Sequence, residues 1–186
     1  MPKRATALTG AAGEHFVAYK LSHLGYPVAL TRGGSPTVDI MVGDVSGNAS
    51  VSIQVKTSNN ACRVYKKHPE NNKWLWEVGE KARTLKGENI IYAFVDLKGN
   101  PEENPDVYLV PSNIVAFHTA DQVSRIMFGI CEKDGNQIRN DWTLITNKLG
   151  EGFLNQEESP GNRFVGGPED LTIVESGSKE RVTNST

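Results

Sequence analysis

Apolar and polar residues alternate without interruption along Ser50-Val51-Ser52-Ile53-Gln54-Val55-Lys56-Thr57. Val51, Ile53 and Val55 fall on one side and Ser52, Gln54 and Lys56 on the other, which predicts a β-strand with one face for the core. A shorter alternation, Val38-Asp39-Ile40-Met41-Val42, predicts a second strand with Asp39 at its start or edge. Gly47-Asn48 between the two supplies a hairpin-type turn. Upstream, a helical period runs from about Gly10 to Leu24, with Thr9 as its N-cap and Gly25 as its stop. Val17, Ala18 and Leu21 come three, four and seven residues after Glu14, so Glu14 shares the helix's apolar face.

The remaining pattern predicts strands over 27–32 and 73–78, a fully buried strand over the almost wholly apolar 89–97, and another strand over 107–110. Gly33-Gly34-Ser35-Pro36 reads as a turn, and residues 58–72 as irregular. One or two helical turns are expected within 79–87, a short helix from Pro111-Ser112 towards His118, and helix over 122–127 with a turn after it at Gly135-Asn136. Asp141 caps a last helix, 142–149, in which Trp142, Ile145 and Leu149 share a face. The expected organisation is a flexible arm at 1–9, one domain over 10–154, and a disordered acidic tail at 155–186.

Composition adds bounds. The 186 residues are 38% apolar and 23% charged, enough for one core, and the net charge of −2 gives no global attraction to nucleic acid. Residues 56–83, however, hold seven bases against three acids. Cys62 and Cys131 match no zinc or disulfide spacing, which fits a reducing cytoplasm. The basic start Met1-Pro2-Lys3-Arg4 leads into no apolar run of signal-peptide length, and no stretch is long enough to span a membrane.

An acid on a helix face meant for the core is costly to bury unless it meets a cation or a metal. Glu14, Asp39, Gln54 and Lys56 can converge at one end of a small sheet, either as a salt-bridge cluster around Lys56 or as a metal site. The order of helix with Glu14, strand with Asp39, and strand with Gln54-x-Lys56, at spacings of 25 and 15 residues, resembles the PD-(D/E)xK nuclease superfamily. Gln-x-Lys and Gly33-Gly34-Ser35 are similar to Mrr-like endonucleases and Holliday-junction resolvases. Val38 departs from the superfamily's proline, and Gln54 stands where an acid is commonest.

The resemblance covers about residues 10 to 110. It implies an α/β, restriction-endonuclease-like fold, a mixed central sheet flanked by helices. It also implies a DNA endonuclease of restriction, defence or repair type, often working as a homodimer. Glu14, Asp39, Gln54 and Lys56 would be catalytic, with Asp39, Gln54 and Glu14 holding Mg²⁺ or Mn²⁺. Two carboxylates, an amide oxygen and a carbonyl suit such hard cations. Bound metal polarises a phosphate and lowers the pKa of its water, while Lys56 orients that water or steadies developing negative charge.

Arg32, Arg63, Lys66 and Lys67 are candidate phosphate contacts, as are Lys73, Lys81, Arg83 and Lys86, although a solvated basic face has the same composition. Trp74 and Trp76 share a strand face and are expected in the core rather than stacked on bases. Two further functions remain open at this level. One is a binding module on the same fold, and the other is a structural partner acting through the acidic tail.

Overall fold

The computed structural model describes residues 3–31 and 38–150. Helix α1 (Lys3–His23) begins seven residues before the expected start, so the arm at 1–9 is largely helical and Thr9 lies inside the helix rather than capping it. The reason is local. Residues 3–8 contain alanine, leucine and long basic side chains and no Gly or Pro, so nothing stops the helix from extending towards the N-terminus. Its C-terminus closes as expected at Gly25, whose φ of 88° permits a bond from Gly25 N–H to the Ser22 carbonyl and from Tyr26 N–H to the Leu21 carbonyl.

Five strands then form one sheet: β1 (Val28–Leu30), β2 (Ile40–Gly43), β3 (Ser50–Ser58), β6 (Ile90–Asp96) and β7 (Asp106–Pro111), in the spatial order β1-β2-β3-β6-β7. All neighbours are antiparallel except β3 and β6, which run parallel with Gln54 opposite Tyr92 and Lys56 opposite Phe94. A smaller antiparallel sheet takes β4 (Cys62–Arg63), β5 (Lys73–Glu77) and β8 (Met127–Cys131). Three further helices come after the strands β7 and β8: α2 (Ser112–Thr119), α3 (Glu132–Ile138) and α4 (Thr143–Leu149). The expected mixed α/β architecture, a mixed central sheet flanked by helices, is what the chain adopts.

Period-two alternation divides the large sheet into two cores. Val51, Ile53 and Val55 of β3, Ile91, Ala93 and Val95 of β6, and Ile40 and Val42 of β2 pack against Val17 and Leu21 of α1 and Ile145 and Leu149 of α4. On the opposite face, Tyr92, Phe94, Tyr108 and Val110 meet Trp74, Trp76, Phe128 and Ile130 of the small sheet and Val115 of α2. β6 is apolar from Ile90 to Val95 because both of its faces are covered. Both tryptophans belong to the core, as expected, and the Trp76 indole N–H donates to the Val95 carbonyl at 2.9 Å.

Between residues 119 and 140 the expectation needs correcting. The stretch 122–127 is not helical. The Gln122 side chain spans a loop there, its amide N–H donating to the Met127 carbonyl and its oxygen accepting from the Met127 N–H. Met127-Phe128-Gly129-Ile130-Cys131 alternates, and β5 supplies its ladder, Trp76 opposite Phe128 and Trp74 opposite Ile130. Gly135 is not a turn residue but lies within α3, where a Cβ would stand 2.6 Å from the Trp74 ring. The glycine there lets the helix approach the indole. The last helix starts one residue later than expected, so Trp142 and not Asp141 is its N-cap; the Asp141 carboxylate accepts from Thr143 N–H at 2.9 Å in the turn that leads into it. The Gly33-Gly34-Ser35-Pro36 turn, Arg32 and the tail at 155–186 lie outside the described residues.

Candidate active site

The site forms where β2 enters the sheet beside β3. Asp39 directly precedes β2 and is fixed by its own backbone: its N–H donates to the Ile53 carbonyl, and its carbonyl accepts from Thr31 N–H, both at 2.9 Å. Because Ile40 is opposite Ile53, the Asp39 side chain falls beside Gln54 and Val55. Its Oδ2 accepts the Val55 N–H at 2.7 Å and also the Gln54 Nε2–H. Asp39 and Gln54 are thus brought together as the alternation implied, and Asp39 Oδ1 takes part in neither bond. Two residues on, Lys56 lies on the same face as Gln54, half-buried.

Glu14 reaches the site from the helical layer. Helix α1 lies unusually close to β3 at Gly13, where a Cβ would stand 1.9 Å from Thr57 Oγ1. Only glycine fits this contact, and the next residue, Glu14, is held at the end of β3 as a result. Thr57 Oγ1 is buried there with no hydrogen-bond partner among the described residues.

The electrostatics are those of like charges held together. Burial raises the Glu14 pKa, and the Asp39 charge raises it further, against a small opposing pull from His15. The Asp39 pKa is also raised by burial, with the Val55 N–H and the Lys56 ammonium pulling it back. Burial lowers the Lys56 pKa, the Asp39 charge opposes this, and the Lys81 ammonium lowers it again. The salt-bridge cluster is not what holds these residues, since the ion pairs within 4 Å among the described residues lie at His68–Glu70, Lys98–Asp106, Arg125–Glu77 and Arg139–Asp106.

These shifts make stability depend on pH. The native chain holds protons on Glu14 and Asp39 more tightly than the unfolded chain. Without a divalent cation, the stability from this pair is fully present below the ordinary carboxylate pKa and falls as pH rises through that range to the raised native values. Urea midpoints in EDTA between about pH 3 and pH 7 should show this fall in the wild type, and the Glu14→Gln/Asp39→Asn double variant should lack it. An identical profile in the double variant would assign the fall to other groups.

No group of three or more His, Cys, Asp or Glu side chains among the described residues forms a ready metal cage. The donor set is nonetheless one of hard oxygens. Burial raises the proton affinity of both carboxylates and the Asp39 charge adds to that of Glu14, Asp39 Oδ1 takes part in neither of the bonds that Oδ2 accepts, and the Gln54 amide presents Oε1 on half a rotation. Donors of this kind are those that Mg²⁺ or Mn²⁺ takes while keeping several waters. The residues fit such an ion.

One residue at the site was not singled out for it by the sequence. Tyr92, fully buried and opposite Gln54 in the parallel register, has its phenol pKa pushed up to about 12 by burial and by the Asp39 charge, so it remains a protonated donor at neutral pH. Lys81, a candidate phosphate contact by sequence, is exposed on the 3₁₀ turn Glu80–Arg83. A phenol within an apolar strand was the one available signal for Tyr92.

The outer candidates are placed elsewhere. Arg63, Lys66 and Lys67 are exposed around the turn between β4 and β5, with the Arg63 guanidinium donating to the Asn60 and Cys62 carbonyls at 2.9 Å. Arg83 is half-buried and donates to the Gln122 carbonyl, so it braces the fold.

No family model matches the chain, and no curated protein matches it. Among solved structures, a bacterial homing endonuclease, I-Ssp6803I, is similar over 77% of this chain and 93% of its own, with a TM-score of 0.49 and 18% sequence identity. What the site can do therefore rests on its own residues.

Proposed function

We propose that the chain is a metal-dependent DNA endonuclease of the PD-(D/E)xK type, in the Gln-x-Lys form. One observation carries the reading: the Asp39 carboxylate accepts the Gln54 amide and the Val55 N–H, with Glu14 of a separate element near enough for the Asp39 charge to act on it, and with a half-buried Lys56 that makes no ion pair within 4 Å among the described residues. Packing alone does not explain such an arrangement, which is relieved by a divalent cation and by a substrate phosphate.

In this reading Asp39, Gln54 and Glu14 hold Mg²⁺ or Mn²⁺. The ion, when bound, polarises the phosphate and lowers the pKa of a water. The chain's own residues do the rest. Val55 N–H, anchored in β3, fixes one Asp39 oxygen so that the other faces the site. Lys56 orients the attacking water or steadies the charge that develops on phosphorus-bound oxygen. Arg63, Lys66 and Lys67, with Arg32, supply sequence-blind contacts to more distant phosphates. A homodimer would bring two such sites to the two strands of a duplex. Restriction, defence and repair all accommodate this chemistry.

The test uses supercoiled, linear and four-way-junction DNA with Mg²⁺ or Mn²⁺, and with EDTA. The wild type should cleave at least one of them, EDTA should stop it, and Lys56→Ala should lower the rate by at least about a hundred-fold, the usual effect of removing one charge-stabilising group. Cleavage that survives both EDTA and the substitution would overturn the reading. DNA that is bound but uncut, with no heat on titration with Mg²⁺, would establish the non-catalytic binding module instead, for which the neutral Gln54 is well suited.

A further inference from the structure

We propose that the loop joining β4 to β5 is a base-stacking contact for unpaired DNA, with Tyr65 as the stacking ring and Arg63, Lys66 and Lys67 holding the phosphates beside it; this rests on the reading of DNA as the ligand. The loop closes a hairpin, since Cys62 is opposite Trp74 and Arg63 opposite Lys73. Every residue from Cys62 to Glu70 is exposed. Val64 is 67% exposed and Tyr65 42%, and neither belongs to the cores on the two faces of the large sheet. Two adjacent apolar side chains held out from the fold in this way do little to stabilise it.

The loop is nonetheless held in one shape. Tyr65 N–H donates to Asn72 Oδ1 at 2.8 Å, and the Tyr65 carbonyl accepts His68 N–H at 3.0 Å. Asn72 is in turn tied to the start of α3. Its carbonyl accepts Glu132 N–H at 3.0 Å, and its side-chain amide donates to Glu132 Oε2 at 3.1 Å. The Lys73 ammonium stands 5.9 Å from the centre of the Tyr65 ring, within cation–π range. Backbone and ring are thus positioned before any ligand arrives, which lowers the ordering cost of binding.

The charge around the ring selects the ligand. Residues 62–73 hold four bases and one acid, and that acid, Glu70, lies 3.1 Å from His68. Lys66 and Lys67 make no ion pair within 4 Å among the described residues. A smooth duplex offers phosphates to these cations but keeps its base faces stacked inside. An unpaired nucleotide offers both parts together: a π-face for Tyr65 and a phosphate for the bases next to it. The place in the fold suits the site as well. β4 begins four residues after β3 ends. The chain from Lys56 to Tyr65 spans at most about 32 Å, or about nine steps of a duplex. A strand gripped at the loop is therefore within reach of Lys56.

The full chain is compared with Tyr65→Ala, Tyr65→Phe, the Lys66→Ala/Lys67→Ala double variant and, as a control, Tyr19→Ala at an exposed tyrosine of α1. Each is titrated in EDTA, over a series of salt concentrations, with a short oligo(dT) carrying 2-aminopurine and with its blunt duplex. The fluorescence of 2-aminopurine falls when an aromatic ring stacks on it. Tyr65→Ala should bind the single strand about ten-fold more weakly, lose the quenching, and keep both the salt slope and the duplex affinity. Tyr65→Phe should retain affinity and quenching. The double lysine variant should lower the slope of log affinity against log salt by about 1.4, the signature of two lost contacts to a single strand, and Tyr19→Ala should change nothing. Unchanged affinity and quenching in Tyr65→Ala would overturn the proposal, as would an equal loss on the duplex or in Tyr19→Ala, or wild-type binding to the duplex alone. A Tyr65→Ala variant that melts well below the wild type would make the ring part of the fold and overturn it too. A wild-type slope in the double lysine variant would overturn the phosphate contacts. If the wild type binds and quenches but never cleaves with Mg²⁺, the nuclease reading fails and the stacking contact stands. If it cleaves and Tyr65→Ala matches it throughout, the reverse holds. If it binds neither form of DNA, both fall.

Discussion

Asp39→Asn should yield a folded protein that lacks the DNA cleavage proposed for the wild type. The substitution keeps an oxygen where Oδ2 accepts the Val55 N–H at 2.7 Å, so the anchor between β2 and β3 survives. It removes a buried negative charge whose pKa burial has raised, so the metal-free variant should melt at or above the wild-type temperature near neutral pH. The proposed metal site, by contrast, would lose one of its two carboxylates. Lewis-acid stabilisation of a phosphate is worth several kcal/mol, which at about 1.36 kcal/mol per decade predicts a rate at least about a thousand-fold lower. Single-turnover cleavage measures the rate, and melting curves with and without Mg²⁺ measure binding. The wild type should gain stability from the ion, by mass action, and the variant should not. A variant that melts well below the wild type in EDTA would show that Asp39 is structural and would remove the main support for a metal site.

Trp76→Ala should come close to unfolding the domain. The side chain is almost fully buried, its ring contacts Phe94 and Tyr108, and its indole N–H satisfies the buried Val95 carbonyl. Truncating such a residue costs about 3–5 kcal/mol through lost contacts and the cavity left behind. Leaving the carbonyl unpaired adds about 1–3 kcal/mol. Against a total stability of about 5–15 kcal/mol, the variant should have a sharply lower urea midpoint. Trp76→Phe keeps a ring and loses only the N–H, and should fall between the two. A midpoint for Trp76→Ala within error of the wild type would mean that the small sheet does not share in the cooperative fold.

Much of the site could be read locally. The alternation of β3 is strict because one of its faces is core and the other is not, so the parity that places Gln54 with Lys56 appears in eight consecutive residues. The helical period likewise placed Glu14 on the face of Val17 and Leu21, both of which are fully buried. What could not be read depends on partners far along the chain. Gly135 looks like a turn residue until Trp74, about sixty positions earlier in the chain, is packed against it. β8 is only five residues long, and its outer face carries Gly129, whose missing side chain makes room for Leu75. Tyr92 belongs to the site only through the β3–β6 register. The early start of α1 had a different cause, since a run of good helix formers carries no mark of where it begins.

The parallel pairing of β3 with β6, and the pairing of β5 with β8, have a consequence for synthesis. Ser52 faces Ile90, and Trp76 faces Phe128, so each ladder joins segments tens of residues apart. Contacts of this kind form slowly, because a long loop must close before any of them is made. A chain still on the ribosome can complete the hairpin of β2 and β3, and with it the bond from Val55 to Asp39, well before β8. Asp39 and Gln54 would thus meet early, whereas the small sheet would close over the large one only once β8 has been made. In the proposed nuclease, the site would be laid out before the fold that surrounds it is finished.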